Sequence, residues 1–445
     1  MKNPILKENI ERFESMRHPL TLQAAIKESN RCLLCYDAPC SKACPAGTDP
    51  GKFIRQIKFL NFKGAARTIR NNNVLGSVCA LICPVEKLCE EQCSALALED
   101  PINIGGLQRF ATEYGKHHNL EKNQPGTRTK AKVAVIGAGP AGLSCAAELA
   151  KRNYQVTVFE KEPTAGGMPA ITIPKFRLNQ DALNYDIQNV LDLGVEIRCN
   201  TTISGDNQIE KLKNDGFEAI FIASGLTEAL ELPLFKNYQN ALSYIQFLSE
   251  AKTDQLNIDV ENKTVAVIGG GSVAVDSANT AKALGAKKVY LISLEGLSEL
   301  PADDEEIRLA QIMNIVFKPS TQITGIENTN DKIVAIAGQE IEWKIPGNCH
   351  PSNAVLIDHT QFSLPVDLVV TAIGTAAADE LPKIFEGLQT GAKNCVVANN
   401  QFQTNIPGVF AGGDVVNGGA TAVEAVSHGK EAADEIDRFF SNSGK

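Results

Sequence analysis

The chain has 445 residues, 43% of them hydrophobic, with 43 Lys and Arg against 52 Asp and Glu and a formal net charge of −9. That length allows two or three domains, the acidic balance excludes a general nucleic-acid binder, and no run of about eighteen apolar residues offers a membrane helix. Charge and sulfur are unevenly spread: residues 1–125 carry 17 Lys and Arg against 13 Asp and Glu, and eight of the twelve cysteines fall between Cys32 and Cys93.

In chain order, MKNPILKENIERFESMRHP mixes charged and apolar residues in a helical rhythm. It has no apolar core followed by a small-residue cleavage site, so a secretory leader is not expected and a cytoplasmic setting is. That setting disfavours disulfides for the cysteines that follow. The stretch RCLLCYDAPCSKACP, 31–45, places Cys32, Cys35, Cys40 and Cys44 in a C-x2-C-x4-C-x3-C run that ends in proline. FIRQIKFLNFKGAARTIRNN, 53–72, has apolar residues at 53, 54, 57, 59, 60 and 62, which suits a helix better than a strand. Cys79, Cys83, Cys89 and Cys93 follow as C-x3-C-x5-C-x3-C, with a proline directly after Cys83. Ferredoxin-type runs use three close cysteines for one cluster and a fourth, before proline, for another. That logic occurs here twice, so two [4Fe-4S] clusters are expected. Zinc, which would use two C-x2-C pairs and add only structure, and disulfides are the competing readings.

KNQPGTRTKAK, 122–132, reads as a linker. Beyond it, short Val/Ile-rich runs (KVAVIGAG, YQVTVFE, AIFIASG, TVAVIGGG, KKVYLIS, DLVVTAIG) alternate with helical stretches, which predicts parallel sheets built from βαβ units. Two of these runs enter glycine loops. In the first, Gly137, Gly139 and Gly142 have G-x-G-x-x-G spacing, and Pro140 and Ala141 open the helix. Glycines there allow a tight turn and let backbone amides approach a pyrophosphate at a helix N-terminus. Glu160 closes the next strand, where a carboxylate can accept from a ribose hydroxyl. In the second loop Gly269 and Gly271 keep the pattern, followed by Ser272 and Val273, with Ala274 in the third glycine's place. Near the end, IPGVFAGGDVVNGGATAVEAVSHGKEAADEI returns to a strand closing in Gly412, Gly413 and Asp414. The fold class expected is α+β multidomain: an N-terminal α-helical double [4Fe-4S] domain (1–125), then two nested Rossmann-like α/β domains. The first of these spans 126–258 and 376–445, and the second spans 259–375.

Two nested dinucleotide folds closed by a Gly-Gly-Asp strand resemble the two-dinucleotide flavoprotein disulfide-reductase class. That resemblance implies FAD in the first fold and a nicotinamide nucleotide in the second. It implies flavin contacts at Gly413, Asp414, Thr421 and Ala422, with Met168, Arg177 and Ile203 alongside, and a nucleotide contact at Gly374. The redox-active Cys-x-x-Cys of many members is missing: Cys145, Cys199, Cys349 and Cys395 stand alone and read as ordinary thiols.

With the cysteine runs, nearly the whole chain resembles the family of the glutamate synthase small subunit and the N-terminal region of dihydropyrimidine dehydrogenase. By that resemblance Cys32, Cys35, Cys40 and Cys93 hold one cluster, and Cys44, Cys83 and Cys89 begin the second. Cys79 is left without a role. In PINIGGLQRF, 101–110, Gln108 stands where dihydropyrimidine dehydrogenases are similar in carrying a glutamine ligand, and glutamate synthases a glutamate. Gln108, and IPKFRL at 173–178, point to the flavoprotein subunits of bacterial NAD-dependent dihydropyrimidine dehydrogenases.

After KKVYLIS, NADPH-using relatives place an arginine pair for the 2′-phosphate. Here Ser293, Leu294 and Glu295 follow, and Glu295 would repel a phosphate dianion, so NADH is expected. Ser272 departs from the usual Asn or Asp, and 340–365 is longer and more irregular than the family suggests. No nucleophile–base constellation marks a substrate site, so electrons are expected to leave to another protein. The resemblance implies a TIM-barrel FMN partner with its own clusters (PreA-like) that reduces uracil or thymine. The basic residues Lys52, Arg55, Lys58, Lys63, Arg67 and Arg70 face that partner, offset cluster charge, or are solvated. An electron-input subunit for glutamate synthase or ferredoxin, and a non-enzymatic cluster scaffold, are the other functions in play.

Overall fold

The computed structural model describes residues 16–120, 129–253 and 255–442. The expected helix at the start of the chain and most of the linker lie outside the described residues. The described chain forms two compact units, one of residues 16–170, 177–228 and 376–442, the other of residues 171–176 and 229–375.

The first unit begins with a helical module in which helix ends put cysteines at chain reversals. Helix α1 (Leu22–Arg31) is capped by Thr21, whose Oγ1 accepts from Ala24 N at 3.2 Å, and it ends with Cys32 as its C-cap. The one-turn α2 (Pro39–Lys42) contains Cys40. The helix expected over 53–72 is two helices, α3 (Pro50–Lys58) and α4 (Phe62–Asn72). Leu60 takes φ +59°, which ends one helix, and Asn61 Oδ1 accepts from Gly64 N at 2.9 Å, which caps the next. Phe59 and Leu60, at the break between the two helices, are exposed at 68% and 61%. Helix α5 (Gly76–Ile82) is buried throughout, carries Cys79, and ends in Cys83, whose N–H bonds Cys79 O at 3.0 Å. Helix α6 (Ile104–His117) carries Gln108. Phe53, Ile54, Ile57, Ile69, Leu107 and Phe110 form the core, with Cys89 among them.

The same unit continues with β1 (Lys132–Ile136), α7 (Pro140–Lys151), β2 (Gln155–Phe159), α8 (Gln180–Asp192), β3 (Glu196–Arg198) and β4 (Phe217–Ile222). In the second unit the chain forms β5 (Ala241–Ser243), β6 (Thr264–Ile268), α9 (Ser272–Ala283), β7 (Lys288–Ile292), β8 (Val316–Lys318), β9 (Thr321–Thr329), β10 (Lys332–Trp343), β11 (Ala354–Leu356), β12 (Phe362–Pro365) and β13 (Leu368–Thr371). Back in the first unit are β14 (Val409–Ala411) and α10 (Ala422–Asn442). Two parallel sheets result, ordered β14-β4-β1-β2-β3 and β5-β13-β6-β7-β8. Their central strands are Val/Ile runs buried on both faces, as parallel sheets covered by helices require.

The irregular segment over 340–365 is ordered. β11 and β12 pair antiparallel with β10 beside β9, and Asn353 closes the intervening turn through Nδ2 bonds to Ile345 O (2.9 Å) and Asn348 O (2.8 Å).

Inside the first unit the cysteine module packs on the flavin fold through α8. Asp186 is buried there, accepts from Val78 N at 2.9 Å, and is pushed up to about 7 by burial, against the pull of Ser77, Val78 and Arg70. Arg70 also bonds Tyr185 Oη and stacks over its ring. No helix among the described residues is long and apolar enough to cross a membrane.

Candidate functional site

The eight cysteines of the helical module fall into two groups. Cys32, Cys35, Cys40 and Cys93 line one cavity together with Leu33, Ala38, Gly51 and Ile102. Leu34, between the first two, takes φ +55°, so the chain wraps around the cavity and turns the Leu34 amide toward the Cys32 sulfur. Burial pushes the Cys40 thiol up to about 11, reinforced by its neighbours Cys93, Cys32 and Cys35. The second group is Cys44, Cys79, Cys83 and Cys89, which interact electrostatically with one another. Thr48 N donates to Cys44 Sγ at 3.4 Å, and Asn73 Nδ2 donates to Cys79 Sγ at 3.3 Å. Burial pushes Cys79 up to about 12 and raises Cys83 and Cys89 as well.

These donor sets fit iron–sulfur clusters. Buried thiols stay protonated alone, whereas ligation deprotonates them, and amide donors near sulfur stabilise the resulting charge. No three His, Cys, Asp or Glu among the described residues converge at single-ion spacing. The first group contains the four cysteines expected for the first cluster. The second contains the expected Cys44, Cys83 and Cys89, and adds Cys79, which the family resemblance had left without a role. Gln108 is buried at 8% exposure, and its Nε2 donates to Gly76 O at 2.8 Å. That bond ties the Gln108 amide to the first residue of the helix that carries Cys79.

In the flavin fold, Gly137 (φ +105°) turns so tightly that an added Cβ would lie 2.5 Å from Ala223 O. At Gly139, which N-caps α7, an added Cβ would meet only Gly167 Cα, at 3.8 Å. Backbone amides are therefore open to a pyrophosphate there, with Pro140 and Ala141 as the first helical residues. Glu160 is buried and accepts from Ala138 N at 2.7 Å and Glu162 N at 2.9 Å. A carboxylate has lone pairs left for a ribose after two such bonds. Gly413 N donates to His428 Nδ1 at 3.1 Å. Asp414, raised to about 6 by burial, accepts from Ala420 N at 3.2 Å. Thr421 and Glu424 form a reciprocal cap at the start of α10, beside Ala422. Met168 opens a short helical turn after Gly166 and Gly167, Arg177 is half-buried, and Ile203 packs against the core of the flavin fold.

The second unit repeats the loop. Gly269 takes φ +138°, Gly271 N-caps α9, Ser272 and Val273 follow, and Gly374 (φ +112°) is exposed beyond β13. Ala274 fills the third glycine's place, fully buried. Glu295 is fixed by Ser293 Oγ and Ser320 N, both donating to its carbonyl, at 3.0 and 2.9 Å. Its carboxylate lies against Gly270, where an added Cβ would approach Oε2 to 2.8 Å. A negative charge thus stands beside the nucleotide loop.

Residues 131–429 match the pyridine nucleotide-disulphide oxidoreductase family, and residues 9–120 match the dihydropyrimidine dehydrogenase domain II, 4Fe-4S cluster family. The NAD-dependent dihydropyrimidine dehydrogenase subunit PreT of Escherichia coli K12 is 40% identical over 96% of this chain and 97% of its own. PreT of Salmonella typhimurium is 39% identical over 94% of both. The chain belongs to the PreT family. The NADP(+)-dependent formate dehydrogenase subunit beta of Moorella thermoacetica is 34% identical over 91% of this chain and 60% of that protein. Among solved structures, thioredoxin reductase of T. acidophilum (TM-score 0.53, 19% identity, 71% of this chain and 100% of that one) and FprA of Mycobacterium tuberculosis with NADPH (TM-score 0.58, 17% identity, 71% and 84%) share the fold. The two family matches describe a pyridine nucleotide and a 4Fe-4S cluster, and the first of them implies FAD.

Proposed function

We propose that this chain is the NADH-oxidising electron-input subunit of a cytoplasmic dihydropyrimidine dehydrogenase, delivering electrons to a separate subunit that reduces uracil or thymine. The observation that carries the reading is the packing of both thiol groups and the flavin glycine loop into one compact unit, in a chain whose relatives are named PreT. FAD held by these residues would supply the chemistry that turns a hydride's two electrons into single electrons for iron–sulfur clusters. The chain's own residues supply position and charge. Gly137, Gly139 and Glu160 seat the flavin nucleotide, Asp414 and the α10 end face its other half, and Gly269, Gly271 and Glu295 seat NADH. Cys32, Cys35, Cys40 and Cys93 hold the first cluster; Cys44, Cys83, Cys89 and Gln108 hold the second. The partner in this reading is a PreA-like TIM-barrel protein with FMN and its own clusters.

A second reading, electron input to a different acceptor, draws on the relative named as a formate dehydrogenase subunit. The purified chain separates the two from a bare scaffold. NADH is expected to bleach its flavin absorbance and drive dye reduction, while uracil in the same cuvette is left untouched. A flavin that NADH does not bleach would refute the proposal. With a catalytic partner added, turnover of glutamine plus 2-oxoglutarate instead of uracil would favour the second reading.

A further inference from the structure

We propose that Lys430 is a positioning residue for the second cluster: its ammonium clamps the Cys44–Thr48 turn to the helix closing the flavin fold, and its charge raises that cluster's reduction potential. The inference rests on the cluster assignment above.

Lys430 Nζ donates to two backbone carbonyls, Ala46 O at 2.5 Å and Asn72 O at 2.6 Å. Ala46 lies two residues beyond Cys44. Asn72 ends α4, next to Asn73, whose Nδ2 reaches both Cys79 Sγ and Thr48 Oγ1 at 3.3 Å. One turn earlier on α10, Ser427 Oγ donates to Pro45 O at 2.9 Å. Two successive residues of the turn that bears Cys44, Pro45 and Ala46, are therefore held by one helix. At Gly429 that helix packs on α7 of the flavin fold backbone to backbone: an added Cβ would lie 2.2 Å from Ala141 O. The same helix begins at the Thr421 cap, and its His428 accepts from Gly413 N. The flavin loop and the Cys44 turn thus share one rigid support.

The charges around Lys430 are Glu148, Lys151, Asp434 and Cys44. Lys151 is engaged elsewhere, with Glu148 at 2.7 Å and Asn71 O at 3.3 Å. Across the thiol group, Arg17 donates to Cys83 O at 2.9 Å. Reduction adds a negative charge to the cluster, and nearby cations in a partly buried setting favour it. Lys430 and Arg17 each bring a cation to the backbone of the second group.

The test is a mediated redox titration with EPR detection in the Cys40→Ser background, where only the second cluster remains. Lys430→Met is expected to keep FAD and second-cluster iron while the reduced-to-oxidised ratio at fixed poise falls about tenfold, or about 59 mV for a one-electron couple. Lys430→Arg should restore the wild-type potential. Loss of the second cluster alone in Lys430→Met would also support the clamp. An unchanged potential with full iron content would overturn the proposal, as would failure of Lys430→Arg to restore it. If Lys430→Met does not accumulate, Lys430→Gln, which keeps a donor and drops the charge, reads the same shift. A wild-type chain without iron would instead refute the cluster assignment.

Discussion

Cys40→Ser is expected to purify with about half the wild-type iron and sulfide, a full complement of FAD, and no onward electron delivery to a protein partner. Cys40 sits on the one-turn helix Pro39–Lys42 and lines a cavity with Cys32, Cys35 and Cys93. A serine hydroxyl is a harder and less acidic donor than a thiol, so the first cluster loses a corner while the glycine loop at Gly137 to Gly142 is untouched. Two comparison variants sharpen the outcome. With Gln108 as the fourth donor of the second cluster, as proposed above, Cys79→Ala should keep both clusters. Gln108→Cys should keep both and lower the second cluster's potential, since a thiolate adds negative charge where the amide is neutral. Iron and acid-labile sulfide analysis checks the first two, and redox titration the third. Loss of a cluster in Cys79→Ala, with none of the expected shift in Gln108→Cys, would transfer the fourth ligand from Gln108 to Cys79.

NADPH should be a much poorer donor than NADH. A 2′-phosphate site needs charge-assisted hydrogen bonds, each contributing roughly 1.5–3 kcal/mol. Each missing bond then costs roughly tenfold or more in kcat/KM. Neither Leu294 nor Glu295 can donate such a bond, and the Glu295 carboxylate lies against Gly270 in the nucleotide loop. The double substitution Leu294→Arg with Glu295→Arg removes the repulsion and adds two cations. It should move the NADPH-to-NADH ratio of kcat/KM by about a hundredfold. Equal use of both nucleotides by the wild type, or an unmoved ratio in the double variant, would place the 2′-hydroxyl away from Glu295.

Much of this molecule is readable from residue order because its sites are local. A glycine loop between a buried strand and a helix is one contiguous segment, so Gly137, Gly139, Gly269 and Gly271 could be assigned without a structure. Glu160 was legible for the same reason, being the residue that ends the next strand. The thiol groups are different. Cys93 joins Cys32, Cys35 and Cys40 across more than fifty residues, and that grouping came from family resemblance. The same resemblance left Cys79 without a partner, and its nearness to Cys44 depends on how α5 packs. Periodicity over 53–72 merged two helices because the break rests on Leu60's left-handed backbone and Asn61's cap, single-residue signals that an apolar count passes over. Lys430 and Ser427 were invisible in sequence. Their acceptors are backbone carbonyls more than three hundred residues away, and backbone carbonyls leave no mark on composition.

The most direct test is to measure dihydrouracil formed from NADH and uracil by the purified chain, by the PreA-like catalytic subunit, and by the two together. The expected result is product only in the mixture, at a rate that falls to background when the chain carries Cys40→Ser. Dihydrouracil made by this chain alone would contradict the account, as would a mixture in which Cys40→Ser works as well as the wild type.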